Sequence, residues 1–304
     1  GDSIVTLLLL TAVLCIILGM GLPTTANYLV VAALMAQVVV EVGGAAGYVF
    51  PLIAVHLYVF YYGLMADVTP PVGLASYAAA AISKADPIQT GIQAFWYSLR
   101  TGILPLVFIF NNELLLIGIE NIWHGIIVII TSLIAILVFT SATQGWFVNK
   151  LRWYEIIVFL MISLSLFRPD FILDKFTPKF EQKELNVNSI ESLIFDPKKE
   201  VHIKVTRRTE YGDRYKLFVI TKKSFENSFN LEDYGINLIN NEGRITVDTL
   251  KWNGIAKKAG VETGDVISNF KIENLDRPNK AIVYPFSLIL LFGFGYFNYK
   301  RKKN

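Results

Sequence analysis

Long apolar stretches fill most of the first 170 residues, whereas residues 174–281 alternate between apolar and polar positions. A helix of about 20 apolar residues is long enough to cross a bilayer. The segments that meet this criterion are residues 102–119, 123–148, 152–168 and 282–299. The pattern therefore predicts four membrane-spanning helices, followed or separated by one polar region.

Two further apolar segments, residues 4–40 and 45–83, are each interrupted in the middle. Gly19–Thr25 breaks the first segment, and Ala66–Gly73 breaks the second. Glycine and proline prevent a continuous helix there, while apolar residues continue on both sides, unlike a surface loop. We predict a re-entrant hairpin in the first segment, with both ends on the periplasmic side, and a broken helix in the second.

Backbone groups freed by such breaks are costly in lipid, at several kcal/mol each, unless protein, water or a ligand replaces the lost partner. Freed carbonyls can coordinate Na⁺, and hydroxyl oxygens suit a hard cation. The candidate ion- and substrate-binding residues are Gly19, Gly21, Pro23, Thr24, Thr25, Asn27, Asp67, Thr69, Pro70, Pro71 and Gly73. Thr24, Thr25 and Thr69 are the candidate Na⁺ ligands. The alternative is a pair of proline kinks without a ligand.

Three polar residues in apolar surroundings leave more than one role open. An ionisable residue at membrane depth is a functional candidate by default, so Asp67 could bind a cation or relay protons. It could equally cap the half-helix that begins near Pro70, and Asn27 could serve the helix after the first break in the same way. Glu113 could face a polar seam between helices.

Strands are expected in the polar region, because Val201–Thr206 and Tyr215–Ile220 have the period of two that is typical of a half-buried strand. Residues 241–243 form a turn signal. Residues 233–238 and 254–267 resemble a PDZ-type domain, with a short helix between Gly254 and Gly260. That resemblance implies peptide binding along a sheet edge as one possibility.

Composition agrees with a membrane protein, since charged residues make up 17% of the chain against about 25% in soluble domains. The net charge of +3 gives no basic surface for nucleic acid, and no Gly-rich Lys-Ser/Thr loop for ATP occurs. Cys15 has no second cysteine to pair with. The first apolar run lacks a basic leader and is not a signal peptide, so we expect a fragment of a longer protein.

Lysine and arginine in short loops favour the cytoplasm. Placing residues 300–303 in the cytoplasm puts 174–281 in the periplasm and the positive groups near 84–100 and 150–152 back in the cytoplasm. We therefore expect a multi-pass protein of a bacterial inner membrane.

Two long motifs resemble the large membrane subunit of tripartite ATP-independent periplasmic (TRAP) transporters. They are GMGLPTTANY at Gly19–Tyr28 and HLYVFYYGLMADVTPPVG at His56–Gly73, and Ala85–Pro87 also matches. The resemblance covers residues 1–145, and 150–304 resembles the extra C-terminal domain of the fused small- and large-subunit form. It implies Na⁺-coupled import of organic acids, with Na⁺ as coupling ion and no organic cofactor.

The same resemblance implies three partners: a periplasmic solute-binding protein, the N-terminal half of the transporter and its small subunit. The expected fold is mainly α-helical and membrane-integral, with a small β-rich PDZ-like periplasmic domain and a C-terminal transmembrane helix. The expected domains are 1–148, 149–173, 174–281 and 282–304. No enzymatic function is expected. The alternative is a membrane-anchored PDZ-like scaffold, or an accessory protein of a protease or chaperone.

Overall fold

The computed structural model describes residues 4–183, 199–210, 212–220, 231–241, 244–258 and 260–303. It divides into two compact units. A helical unit comprises Val5–Val39, Phe50–Thr177 and Pro278–Asn304, and a sheet unit is built from Val40–Val49 and Pro178–Arg277. Each unit is described by itself below.

Helices make up the helical unit and most of the chain before the sheet. In chain order they are α1 (Ile4–Gly19), α2 (Thr24–Val31), α3 (Gln37–Ala45), α4 (Leu52–Met65), α5 (Leu74–Ser83), α6 (Pro87–Phe110), α7 (Ile122–Gln144), α8 (Trp153–Phe167) and α9 (Asp170–Phe176). A π-helical turn, Ala32–Ala36, joins α2 to α3, and a 3₁₀ turn, Asn112–Leu115, follows α6. The last helix is α11 (Val283–Lys303), after the 3₁₀ turn Lys280–Ile282.

Among the described residues, four helical segments are long and apolar enough to cross a membrane. They are Thr24–Ala45, Pro87–Phe110, Ile122–Gln144 and Lys280–Arg301. Helices α8 and α9 would form a fifth span together, although they are bent by 86°. Many large apolar side chains on these helices are exposed, as expected for surfaces that face lipid. The spans predicted at 123–148 and 282–299 are confirmed as α7 and α11.

The span predicted at 102–119 is misplaced. The helix there is α6, which starts at Pro87 and ends at Phe110. Asp86 caps its start by accepting a hydrogen bond from the Gln89 N–H at 2.8 Å. The backbone leaves the helix at Asn111, whose side chain donates to the Phe167 carbonyl at 2.7 Å. Residues 84–100, whose positive groups we expected in the cytoplasm, therefore lie mostly inside a helix. The sequence pattern did not indicate this helix because the first half of α6 contains many polar residues.

Small side chains let α7, α8 and α11 approach closely and bond across their interfaces. Ser163 of α8 donates to the Ala135 carbonyl of α7 at 3.0 Å. The hydroxyls of Ser165 and Ser287 are 2.7 Å apart and join α8 to α11. These polar contacts surround a shared apolar core formed by Ala135, Val138, Ala142, Phe159, Ile162, Leu166 and Tyr284. Helix α11 is thus a packed member of this group of helices.

The described residues of the sheet unit form six strands. They are β1 (Phe180–Lys183), β2 (Val201–Thr209), β3 (Gly212–Ile220), β4 (Ile236–Asn241), β5 (Arg244–Leu250) and β6 (Val266–Glu273), with the short helix α10 (Ile255–Lys258) before β6. The strand order is β3-β2-β6-β5-β4, all pairs are antiparallel, and β1 also pairs with β6. The strands expected from period-two alternation are confirmed as β2 and β3.

One face of this sheet forms the core of the unit. Alternate residues of β2, namely Val201, Ile203 and Val205, are buried there together with Phe218, Ile245 and Phe270. Helix α10 closes the core with Ala256 and confirms the short helix expected between Gly254 and Gly260. The turn predicted at 241–243 lies mostly outside the described residues. The PDZ-like identity of the sheet stays a prediction.

Candidate functional site at the two helix breaks

The first break, between α1 and α2, is built around a glycine with no room for a side chain. A Cβ atom at Gly19 would lie 2.8 Å from the Gly63 carbonyl oxygen and 2.6 Å from the Asn27 amide nitrogen. Gly21 has φ of +80°, a left-handed conformation that favours glycine. Pro23 then precedes α2 without a side-chain cap. The break is therefore a tight turn that lies against α4.

Asn27 connects this break to α4. Its side-chain amide donates to the Gly63 carbonyl at 2.7 Å and to the Gly19 carbonyl at 3.5 Å. The residue is 1% exposed, and its Oδ1 is buried without a hydrogen-bond partner among the described residues. Two carbonyl acceptors on the nitrogen side fix the orientation of the amide. Asn27 therefore leaves one buried amide oxygen available to a donor or a cation.

The capping role suggested for Asn27 is not seen. The residue before α2 is Pro23, and no side chain caps that helix. Asn27 lies in the first turn of α2 and reaches across to Gly63 on a different helix. Its amide therefore donates to backbone carbonyls beside the helix breaks. It does not accept from the free N–H groups at a helix start, as a capping side chain would.

The second break, Ala66–Gly73, is satisfied largely by its own turns. The Thr69 hydroxyl donates to the Met65 carbonyl at 2.6 Å, and the Ala75 N–H donates to the Asp67 carbonyl at 3.0 Å. Tyr77 donates its hydroxyl hydrogen to the Pro71 carbonyl at 2.6 Å. A hydroxyl that donates its hydrogen keeps its lone pairs, so the Thr69 oxygen can still accept or coordinate.

Asp67 does not cap α5. The residue that precedes this helix is Gly73, with φ of +30°, and no side chain caps it. The half-buried Asp67 receives the Ala75 N–H through its main-chain carbonyl instead. Its carboxylate is left without a donor in the described part of the chain, which keeps the cation and proton-relay roles open and makes the capping role wrong.

The two breaks meet at Gly63. Its carbonyl accepts from Asn27 of the first break and, at 3.1 Å, from the Ala66 N–H that begins the second. A Cβ at Gly63 would lie 2.7 Å from the Asn27 Oδ1. Some candidate residues lie away from this point. The Thr24 and Thr25 side chains are exposed, and a Cβ atom built on Gly21 would have no described atom within 4 Å.

Gly63 is the residue that sequence reasoning missed. The available signal was a glycine inside the apolar helix α4, three residues before the break, where a large side chain would be expected. Tyr28 and His56 were missed as a pair as well: their hydroxyl and Nδ1 lie 3.0 Å apart and join α2 to α4. Tyr28 directly follows Asn27, and His56 lies two turns before Gly63.

Glu113 lies in a separate polar group of the helical unit. Its carboxylate forms an ion pair with Lys280 and lies 3.5 Å from His124 Nε2. The group joins the turn after α6 to the starts of α7 and α11. It matches the polar seam considered for Glu113.

Two family profiles cover almost the whole chain. Residues 1–123 match the DctM component of tripartite ATP-independent periplasmic transporters, and residues 125–304 match a domain of unknown function, DUF3394. No curated protein and no solved structure matches the chain. The GMGLPTTANY and HLYVFYYGLMADVTPPVG motifs, with Gly19, Asn27 and Gly63, all lie within the first match. The chain therefore belongs to the DUF3394 family, whose profile covers more than half of it, and its first 123 residues match the DctM component of TRAP transporters.

Proposed function

We propose that this chain is part of a Na⁺-coupled secondary transporter that imports organic acids delivered by a periplasmic binding protein. The match of residues 1–123 to the DctM component indicates a membrane component of a TRAP transporter, and it supports a periplasmic binding protein and a small subunit as partners. It does not support the alternative of a PDZ-like scaffold or a protease or chaperone accessory protein. The coupling to Na⁺ and the identification of the solutes as organic acids are what we propose beyond that match.

The observation that carries the proposal is the buried Oδ1 of Asn27 beside two interrupted helices, which finds no hydrogen-bond partner in the described ranges. An unpartnered buried amide oxygen costs about 1–3 kcal/mol unless something replaces its partner. Na⁺ is a hard cation that takes carbonyl, amide and hydroxyl oxygens, and unwound helix segments supply such ligands in transporters. The candidate oxygen ligands are the Asn27 Oδ1, the Thr69 hydroxyl and the Asp67 carboxylate.

The proposed topology has the sheet unit in the periplasm and the C-terminus in the cytoplasm of a bacterial inner membrane. Contacts in the helical unit support it: Arg301 near the end of α11 pairs with Glu155 at the start of α8 at 2.9 Å. It also donates to the Lys150 carbonyl at 2.5 Å. The basic residues around 150 and 301 are therefore close to each other, which supports placing both at the cytoplasmic side under the positive-inside rule.

Sodium dependence of uptake tests the mechanism. The complete transporter and its binding protein are reconstituted in proteoliposomes, and solute uptake is measured against Na⁺ concentration. Asn27→Ala, Asp67→Asn and Thr69→Ala should each raise the half-saturating Na⁺ concentration by about tenfold, which corresponds to the loss of one charge-assisted contact. Ser83→Ala removes an exposed hydroxyl that bonds only within α5 and serves as the matched control. Unchanged sodium dependence in all three variants would refute the ion site.

The topology is tested separately with single cysteines on a Cys15→Ala background. Trp252→Cys, at a side chain 80% exposed in the sheet unit, should react with an impermeant thiol reagent in intact spheroplasts. Lys150→Cys should react only after the membrane is opened. The reverse pattern would invert the proposed orientation.

A further inference from the structure

A small cavity lies in the sheet unit, on the face of the sheet opposite the apolar core. Its volume is about 120 Å³, and the main chain at Ala45–Gly47 covers it. Polar side chains of three strands line it: Gln182, His202, Lys204, Asn269 and Lys271. Since a water molecule occupies about 30 Å³ in the liquid, this space suits roughly four waters or one small oxyanion group.

Strand register explains why these side chains converge. His202 and Lys204 are alternate residues of β2, so both point away from the core face that holds Ile203. Across the sheet, His202 pairs with Lys271, and Lys204 pairs with Asn269. Gln182 of β1 pairs with Lys271 from the other side. The five residues therefore form one continuous polar patch on neighbouring strands.

Two ammonium groups in this patch have no carboxylate counterion among the described residues. Lys204 Nζ donates to the Ala45 carbonyl at 2.7 Å, and Lys271 Nζ donates to the Gly47 carbonyl at 3.4 Å. Each ammonium has three hydrogens, so donors remain on both. In the described part of the chain, no carboxylate forms an ion pair with either lysine. Burial, followed by the nearby charge of Lys204, lowers the pKa of Lys271.

His202 adds a buried polar atom that has no hydrogen-bond partner in the part of the chain that the structure describes. It is 6% exposed, and its ring lies 4.2 Å from the Phe180 ring. Its Nε2 is 2.6 Å from a Glu200 carboxylate oxygen, which makes Nε2 the donor of that bond. Its Nδ1 is buried and has no hydrogen-bond partner among the described residues. That nitrogen can accept from a protonated oxygen or, in the imidazolium form, donate to a charged one.

We propose that this cavity binds one oxyanion group, a carboxylate or a phosphate, held by the ammonium groups of Lys204 and Lys271 and by His202. An anion there supplies the missing counter-charge for both lysines and a partner for His202 Nδ1. Asn269 and Gln182 place amide donors at its edges. Because the same lysines hold the carbonyls of Ala45 and Gly47, the bound anion would also fasten the end of α3 to the sheet.

The group can come from a free anion or from a phospholipid headgroup, and the experiment separates these sources. The full chain is purified in a maltoside detergent, which contains no phosphate. Acylation of individual lysines by an amine-reactive reagent is followed by mass spectrometry while phosphate or acetate is added. Chloride at equal ionic strength is the control. In the second arm, phosphatidylglycerol replaces the free anion.

Lys271 should be protected about tenfold or more, saturably, because a bound anion stabilises the ammonium form that does not react. Lys257, which lies over the Trp252 ring at 4.0 Å in the same unit, should not change and is an internal control. Lys204→Met should weaken the protection about tenfold, whereas Lys204→Arg should retain it, since the charge stays. The thermal midpoint without anion verifies that each variant is folded.

Protection by phosphate or acetate assigns the site to a free anion, and protection by the lipid alone assigns it to a headgroup; both support an oxyanion site. Equal protection by chloride, equal protection of Lys257, or an unaltered response in Lys204→Met would overturn it. In that case the lysines act only as caps for the carbonyls that end α3.

Discussion

The Asn27 side-chain amide donates a hydrogen bond to the Gly63 carbonyl across two helices, at 2.7 Å. The bond spans 36 residues of sequence and lies where two interrupted helices meet. Because Gly19 contacts both residues, the three positions form one closely packed point. Side-chain volume at this point should therefore be strongly limited.

We expect Gly19→Ala and Gly63→Ala to destabilise the protein by about 1–3 kcal/mol, the usual cost of extra atoms in a packed interior. A Cβ at either position would meet atoms closer than 3.0 Å. Thermal unfolding in detergent measures the effect. Gly125→Ala in α7 is the control, because its Cβ would find only Ile119 Cγ2 at 3.5 Å. Equal thermal midpoints for all three variants would contradict this prediction, since they would show that the neighbouring atoms move aside for the added methyl group at no cost.

The ion pair of Arg207 with Asp265 should stabilise the sheet unit. Asp265 is 2% exposed and accepts from Arg207 Nε at 2.8 Å, from Arg207 Nη2 at 2.9 Å and from the Glu262 N–H at 2.8 Å. Asp265→Asn leaves the guanidinium facing a neutral group, and we expect a loss of about 3 kcal/mol in the free energy of unfolding. Glu262→Gln, at an exposed partner of the same arginine, should cost less than about 1 kcal/mol. Denaturant unfolding followed at Trp252 compares them.

Glu155 gives a corresponding prediction in the helical unit. It is 4% exposed, and both its carboxylate oxygens bond to Arg301, at 2.9 and 3.1 Å. Arg301→Gln should lower the thermal midpoint markedly, since removing one partner leaves a buried carboxylate without its cation. Glu155→Gln/Arg301→Gln together should recover part of that loss. A double variant no more stable than Arg301→Gln would contradict the pairing.

Lys271 should make stability depend on pH in the alkaline range. Burial lowers its pKa in the folded protein, so between that value and the ordinary 10.5 the unfolded chain binds more protons than the folded one. The contribution of Lys271 to stability should therefore rise as pH increases through the lowered pKa. The measurement is the difference in free energy of unfolding between the parent and Lys271→Met across pH 7–10. A difference that stays constant, or runs the other way, would contradict the lowered pKa.

Sequence patterns located both helix breaks because glycine and proline interrupt apolar runs there, and local chemistry alone decides such positions. They located β2 and β3 for a similar reason, since period-two alternation is a local property. They misplaced α6, because polar residues in its first half, such as Gln89, Thr90 and Gln93, are typical of a loop.

Contacts between distant residues could not be predicted in the same way. The motif around Gly63 does not indicate that the Asn27 amide of α2 donates to the Gly63 carbonyl. Strands β1 and β6 are paired through the register Phe180 with Glu273, across a long stretch of chain. Val40–Val49 likewise groups with the sheet, and Lys204, far along the sequence, donates to the Ala45 carbonyl there.

The pairing of Glu155 with Arg301 joins residues 146 positions apart, so one partner is synthesised long before the other. At the usual 5–20 residues per second, roughly 7 to 30 s separate their emergence from the ribosome. During that delay Glu155 must stay near the membrane surface or bond to a temporary partner. The ion pair at the start of α8 is thus completed only after α11 has been synthesised.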